Sequence, residues 1–160
     1  MNVEPIDEKN LDEIKTEARE WHQPLHDLEV TSFFGERGDE FHEGIDFKAA
    51  RGSQVFAVQS GQVIYSGARI KGYGQLVVLK HPSGLVTIYA HNTKNLVPKG
   101  MTVQKGQLIA YSGESGRASG PHLHFEIRRG VVAIDPMSVL PLQKRADVFD
   151  RSAVTQNADQ

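Results

Sequence analysis

From Val30 onward the chain is divided into short apolar runs by glycine, and this texture constrains the fold more than any other feature. The runs 55–58, 62–65, 75–79, 86–89, 108–111 and 124–127 are rich in β-branched and aromatic side chains. Gly61, Gly67, Gly84, Gly106 and Gly113 punctuate them. Segments this short suit strands and turns better than helices. The expectation is an all-β domain of antiparallel hairpins, a β-sandwich or barrel-sandwich hybrid. With 160 residues and 39% hydrophobic residues, one packed core is within reach.

The first 29 residues differ. Leu11, Ile14, Ala18 and Trp21 recur at helical spacing, Asn10 and Glu13 have capping-box form, and Pro24 is a natural stop. A short amphipathic helix is expected there, packed on the body or covering a site. This lead-in (1–29) carries nine acids against three bases, whereas residues 30–141 carry twelve bases against eight acids. The basic surplus of the body is too small to identify an anionic partner. After Pro141 the chain turns polar, so 142–160 reads as a loose C-terminal tail.

No cysteine is present, which removes disulfides, thiolate nucleophiles and thiolate metal sites. A metal would need histidine and carboxylate. No run approaches the 18 or more apolar residues of a membrane span, and residues 1–10 lack a signal peptide's basic start and apolar stretch.

The seven histidines are the richest reactive set. In HEGID, His42 and Asp46 stand four apart, but Gly44 and its apolar neighbours favour a loop entering a strand over a helix. The segment is not an HExxH site: the final histidine is missing and Gly44 discourages the helix. On an extended segment Glu43 would point away from His42 and Gly44. In PHLHFEI, strand alternation puts His122, His124 and Glu126 on one face and Leu123, Phe125 and Ile127 on the other. Two imidazoles on one strand face can serve one centre or simply be polar surface. His91 follows the run 86–89. His22 and His26 flank Pro24, His81 precedes Pro82, and these three carry no assigned role.

The series TSFFGERGDEFHEGIDF, GSQVFAVQSGQVIYSG, GYGQLVVLKH, TIYAHN, GMTVQKGQLIAYSGESGRASGPHLHFEI and DPMSVLP resembles, in order and spacing, the lysostaphin-type zinc metallopeptidase family over residues 31–141. The resemblance implies that His42, Asp46 and His124 bind one zinc ion and that His91 and His122 are catalytic. It departs from the family at Asn92, where an apolar residue commonly follows the histidine. The implied domain is 30–141.

Two imidazoles and one carboxylate leave a fourth position open, as a catalytic zinc site requires. Without an HExxH glutamate, proton transfer falls to His91 and His122, with their division of labour open. Glu126 would either orient a histidine or be a solvated strand residue. Gly72, Gly74, Gly113, Gly116 and Gly120 would shape loops along a groove, or simply form turns. The implied activity is an endopeptidase on peptidoglycan peptides, at D-alanyl–diamino acid bonds in preference to glycyl cross-bridges. The partner is then peptidoglycan peptide, with no nucleic acid and no membrane span. The chain is expected to be a monomer, periplasmic or secreted, with its signal peptide already removed. A second reading is a non-catalytic regulatory module that activates another wall hydrolase. A third is a biotinyl-like carrier domain, which lacks its hairpin-tip lysine and leaves the histidines without a role.

Overall fold

The structure, a computed structural model, describes residues 6–140. Among the described residues, helix α1 (Glu8–Ala18) precedes twelve strands, β1 (Val30–Ser32), β2 (Gly35–Arg37), β3 (Glu40–His42), β4 (Ile45–Lys48), β5 (Gln54–Phe56), β6 (Gly61–Gly67), β7 (Gln75–Lys80), β8 (Leu85–Asn95), β9 (Thr102–Val103), β10 (Leu108–Ser112), β11 (His122–Arg129) and β12 (Val132–Ile134), and a 3-10 turn at Pro136–Ser138 follows them. Every pairing is antiparallel.

The main sheet runs β1-β4-β11-β8-β7-β6-β9, with β12 beside β11. It branches at the long β8, whose far end pairs β10, which in turn pairs β5. Val55, Ile109 and Ala110 of that branch join the same buried cluster as Val77, Leu79, Leu123, Phe125 and Ile127. The sheet therefore encloses one core, the barrel-sandwich form. Fully burying a side chain such as Phe125 or Ile127 contributes about 1.5–3 kcal/mol.

Helix α1 begins three residues earlier than the Asn10–Glu13 pattern predicts. Asp7 is the N-cap, its carboxylate accepting from the Asn10 backbone N–H at 2.8 Å, because an aspartate one turn upstream offers the free amides a charged acceptor. The helix also ends at Ala18, well before Pro24. Ile14, Ala18 and Trp21 are buried in the main cluster. The predicted tail, 142–160, lies outside the described residues.

Register decides which side chains share a face. Phe125 lies opposite Ile45 on β4 and Tyr89 on β8, and all three are buried in the core. One residue back, His124 lies opposite Asp46 and Ala90, and these must point to the other face. That outer face carries its own small apolar cluster of Leu76, Val78, Ile88 and Ala90, with Tyr65 and Tyr73 packed against it.

His81 is a core histidine. Its Nδ1 donates to the Ser60 carbonyl at 2.9 Å, and its Nε2 lies 2.8 Å from the Thr87 hydroxyl, itself 2.9 Å from the Tyr89 hydroxyl. The Val58 N–H closes the chain on Tyr89 at 3.1 Å, so this buried polar string is satisfied from end to end.

Candidate metal centre

The β2–β3 hairpin ends on His42, and after the two residues Glu43 and Gly44 the chain re-enters the sheet as β4, carrying Asp46. Gly44 is buried against β11. A Cβ on it would stand 2.5 Å from the Phe125 carbonyl oxygen and 2.9 Å from Cε1 of His124. Only glycine lets the loop come this close, and the approach brings His42 and Asp46 to His124. Asp46 Oδ1 lies 2.9 Å from His124 Nδ1 and 3.3 Å from His42 Nε2, and the two nitrogens are 3.2 Å apart.

Hydrogen bonds fix which nitrogens face inward. His42 Nδ1 donates to the Phe33 carbonyl at 2.8 Å, and His124 Nε2 donates to the Glu126 carboxylate at 2.8 Å. Neutral rings held this way turn a lone pair from His42 Nε2 and another from His124 Nδ1 toward the same carboxylate oxygen. Three acceptors so placed repel one another unless a cation lies between them. Donors bonded to zinc at about 2.0–2.1 Å in a tetrahedron stand about 3.3 Å apart, close to the spacings here. The three residues form a group able to hold a metal ion.

The electrostatics agree. Burial alone would raise the Asp46 carboxyl, but hydrogen bonds from His124 and His42, with the charges of His124 and His122, hold it well below the ordinary carboxylate range. Burial opposes protonation of His124, yet Asp46 and Glu126 together lift it to about 9. Positive charge is thus favoured at this place.

His91 reaches the centre by a backbone irregularity that alternation cannot foresee. Strand β8 continues past Tyr89 to Asn95, so His91 lies inside a strand and not after one. Strict alternation would send its ring inward with Tyr89. Between the pairs Gln75↔Asn92 and Val77↔Tyr89, however, three steps on β8 face two on β7, the signature of a bulge. His91 takes φ 63°, the left-handed region, and its N–H donates to the Tyr73 carbonyl at 2.9 Å. The ring turns outward, 4.9 Å from that of His122 and 5.9 Å from that of His124. Asn92, the departure from the family pattern, is buried and spans the bulge, its Nδ2 donating to the Tyr89 carbonyl at 2.9 Å.

His91 and His122 are pinned alike. His91 Nδ1 donates to the Ser115 carbonyl at 2.6 Å and His122 Nδ1 to the Gly120 carbonyl at 2.9 Å. In each neutral ring Nε2 is left with its lone pair, and in His122 it lies 3.5 Å from Asp46 Oδ1. Burial, more than the neighbouring imidazoles, pushes His91 below its ordinary value against the Ser115 hydrogen bond.

All five side chains singled out in the sequence thus meet at one place. They line a groove of about 330 Å³ between the β2–β3 hairpin, with Arg37, Glu40 and Phe41, and the loops bearing Lys71, Tyr73 and Arg117. The latter two loops interlock where Gly74 and Gly116 touch, leaving no room for a side chain. Arg117 meets Glu40 across the rim at 3.2 Å, but both are well exposed, and such pairs contribute less than about 1 kcal/mol. Glu126 is fully buried and bonded to His124, which excludes the solvated reading. Tyr73, whose ring centroid is 5.9 Å from that of His124, drew no notice in the sequence; its place in the glycine-flanked GYG segment was the available signal.

The model of peptidase family M23 matches residues 40–136. Among curated proteins, the chain is 44% identical over 102 residues to the uncharacterized lipoprotein YgeR of Escherichia coli, covering 64% of this chain and 40% of that protein. It is 35% identical over 121 residues to the murein hydrolase activator NlpD of E. coli, covering 76% and 31%. The match thus spans well under half the length of either relative. Among solved structures, the catalytic domain of the antimicrobial peptidase lysostaphin from Staphylococcus simulans superposes with a TM-score of 0.65 at 31% identity, covering 69% of this chain and 90% of that one. A zinc containing peptidase from Vibrio cholerae gives 0.63 at 31% identity, covering 86% and 39%.

Proposed function

The chain belongs to peptidase family M23, and from that premise we propose that it is a zinc-dependent endopeptidase acting on the peptide cross-links of bacterial peptidoglycan. The observation that carries this reading is the convergence of two imidazole lone pairs and one carboxylate oxygen within 3.3 Å of one another on the floor of an open groove. His42, Asp46 and His124 would be the ligands of one ion, with residues 30–141 as the peptidase unit.

Zinc, when bound, supplies Lewis acidity that polarises a carbonyl and makes water nucleophilic near neutral pH. The chain's own residues do the rest. The groove walls hold an extended peptide over the floor. His91, kept neutral by burial and oriented by Ser115, is suited to accept a proton at Nε2. His122, with Nδ1 committed to Gly120, would donate from Nε2 to the oxygen on which charge develops in its imidazolium form, with both ring nitrogens carrying protons.

The preferred bond is D-alanyl–diamino acid, and the preferred setting periplasmic or extracellular, in keeping with the lipoprotein YgeR among the relatives. No helix among the described residues is long and apolar enough to cross a membrane. A monomer is proposed.

The name of the relative NlpD, a murein hydrolase activator, favours a second reading in which the chain stimulates another wall hydrolase. The complete donor set and the pinned His91 and His122 favour catalysis. Purified sacculi incubated with the zinc-loaded protein alone decide between them. Loss of cross-linked muropeptides supports the endopeptidase, whereas unchanged cross-linking, with stimulation only when a second wall hydrolase is added, supports the activator.

A further inference from the structure

The alternation that puts His122, His124 and Glu126 on one face of β11 continues to Arg128, and the last two side chains are joined. Arg128 Nε donates to Glu126 Oε1 at 2.7 Å, and Nη2 approaches the same oxygen at 2.6 Å. Nη2 also donates to Glu43 Oε2 at 2.7 Å, and Nη1 to the Val131 carbonyl at 3.2 Å. The Arg128 side chain is 17% exposed, that of Glu126 1%. The guanidinium is therefore held on three sides, unlike a loose surface cation.

We propose that Arg128 is a positioning residue that locks two arms of the metal centre at once, His124 through Glu126 and the His42–Asp46 segment through Glu43. The proposal rests on the reading of His42, Asp46 and His124 as metal ligands. Glu126 Oε2 accepts from His124 Nε2, which keeps the proton on that nitrogen and the Nδ1 lone pair toward Asp46. Arg128 grips the other oxygen of the same carboxylate, Oε1, through Nε and Nη2, and so fixes the direction in which Oε2 faces His124. Without the guanidinium, Glu126 Oε1 loses that grip and the carboxylate is free to turn away from His124, and the competing tautomer, with its proton on Nδ1, closes that donor to a metal. On the other side, Glu43 directly follows His42. The next residue, Gly44, packs so closely that a Cβ there would stand 2.7 Å from Glu126 Cγ. Tying Glu43 to Arg128 thus holds the ligand-bearing loop against the strand that carries His124. A planar fork holds two carboxylates in fixed directions; a lysine ammonium, a point charge on a flexible stem, fixes neither so firmly.

The test measures zinc affinity of the full chain by competition with a chromophoric chelator, for wild type and the variants R128M, R128K, E43Q and E126Q. Apo thermal melts and the visible spectra of the cobalt(II)-loaded proteins accompany it. R128M is expected to bind zinc roughly 10–100-fold more weakly, with a shifted cobalt band. R128K should recover only part of the affinity, and E43Q should lose less than R128M. Because Arg128 acts on His124 through Glu126 and on the His42 loop through Glu43, the double variant R128M/E126Q should bind more weakly than E126Q by no more than the loss seen in E43Q. Wild-type affinity and an unshifted band in R128M, or fully additive losses in the double variant, overturn the clamp. If R128M does not fold, R128K and E43Q decide: a loss of affinity in both upholds the clamp, and wild-type affinity in either overturns it. A wild-type chain that binds no zinc overturns the metal reading itself, and the clamp with it.

Discussion

Replacing Gly44 with alanine tests whether close approach of the loop to β11 builds the site. Gly44 is not among the residues with positive φ, so alanine meets no backbone penalty and the perturbation is steric. Its Cβ would lie 2.5 Å from the Phe125 carbonyl oxygen and 2.7 Å from Glu126 Cγ, roughly 0.7–1 Å inside van der Waals contact. Neither neighbour is free to give, one being sheet backbone and the other a fully buried side chain. The loop must therefore retreat, at a cost of about 1–3 kcal/mol for overpacking.

A retreat of that size exceeds the ~0.2 Å tolerance of a metal site, so zinc affinity falls along with stability. With zinc at a hundredfold excess over the wild-type Kd, binding stabilises the wild type by about 2.7 kcal/mol; tenfold weaker binding leaves about 1.4 kcal/mol. At roughly 2–4 °C per kcal/mol for a chain of this size, the zinc-induced rise in Tm shrinks by about half. Scanning calorimetry with and without zinc reads both effects. Gly100→Ala is the control: φ there is 95° and nothing lies within 4 Å of the added Cβ. It should lose about 1 kcal/mol or more to strain yet keep the full zinc increment. A Gly44→Ala protein with wild-type Tm and an undiminished increment would refute the reasoning.

Two further outcomes are expected. Burial, more than the Ser60 hydrogen bond or the charge of Glu17, sets the His81 value and lowers it below 6.5; the unfolded chain therefore binds this proton more readily, and stability falls as pH drops below about 6.5. Urea midpoints at pH 7.5 and 5.5 should differ less in His81→Gln than in wild type, and an equal difference would contradict the assignment. His91→Ala should retain zinc with less than about a threefold change in affinity while losing at least about 100-fold in cleavage rate, the scale of a positioned proton-transfer group. Chelator competition and muropeptide release measured on the same preparation check it, and parallel loss of both would make His91 a ligand.

Much of the fold was legible because hairpin strands announce themselves by short β-branched runs between glycines. Strand alternation in β11 was enough to put His124 and Glu126 side by side, since one face had to supply Leu123, Phe125 and Ile127 to the core. Arg128 obeys the same rule, but a terminal arginine on a strand looks like ordinary solvated surface until its partners are visible. His91 was legible only through family resemblance. Its orientation depends on a bulge, a non-local property of β8 pairing with β7, and strict alternation would have buried its ring. The approach of His42 and Asp46 to His124 likewise depends on the β4–β11 register, which no local pattern encodes. The helix start was misread because two residue pairs, Asp7 with Asn10 and Asn10 with Glu13, offer capping geometry, and only the first is used.

The central claim is that His42, Asp46 and His124 form one zinc centre, and its most direct measurement is metal content. Wild type, Asp46→Ala, His124→Ala and His91→Ala would be loaded with zinc, dialysed together against metal-free buffer and assayed by mass spectrometry for zinc per chain. One ion in wild type and His91→Ala, with a near-complete loss in Asp46→Ala and His124→Ala, is the predicted result. Equal zinc in all four proteins, or none in the wild type, would contradict it.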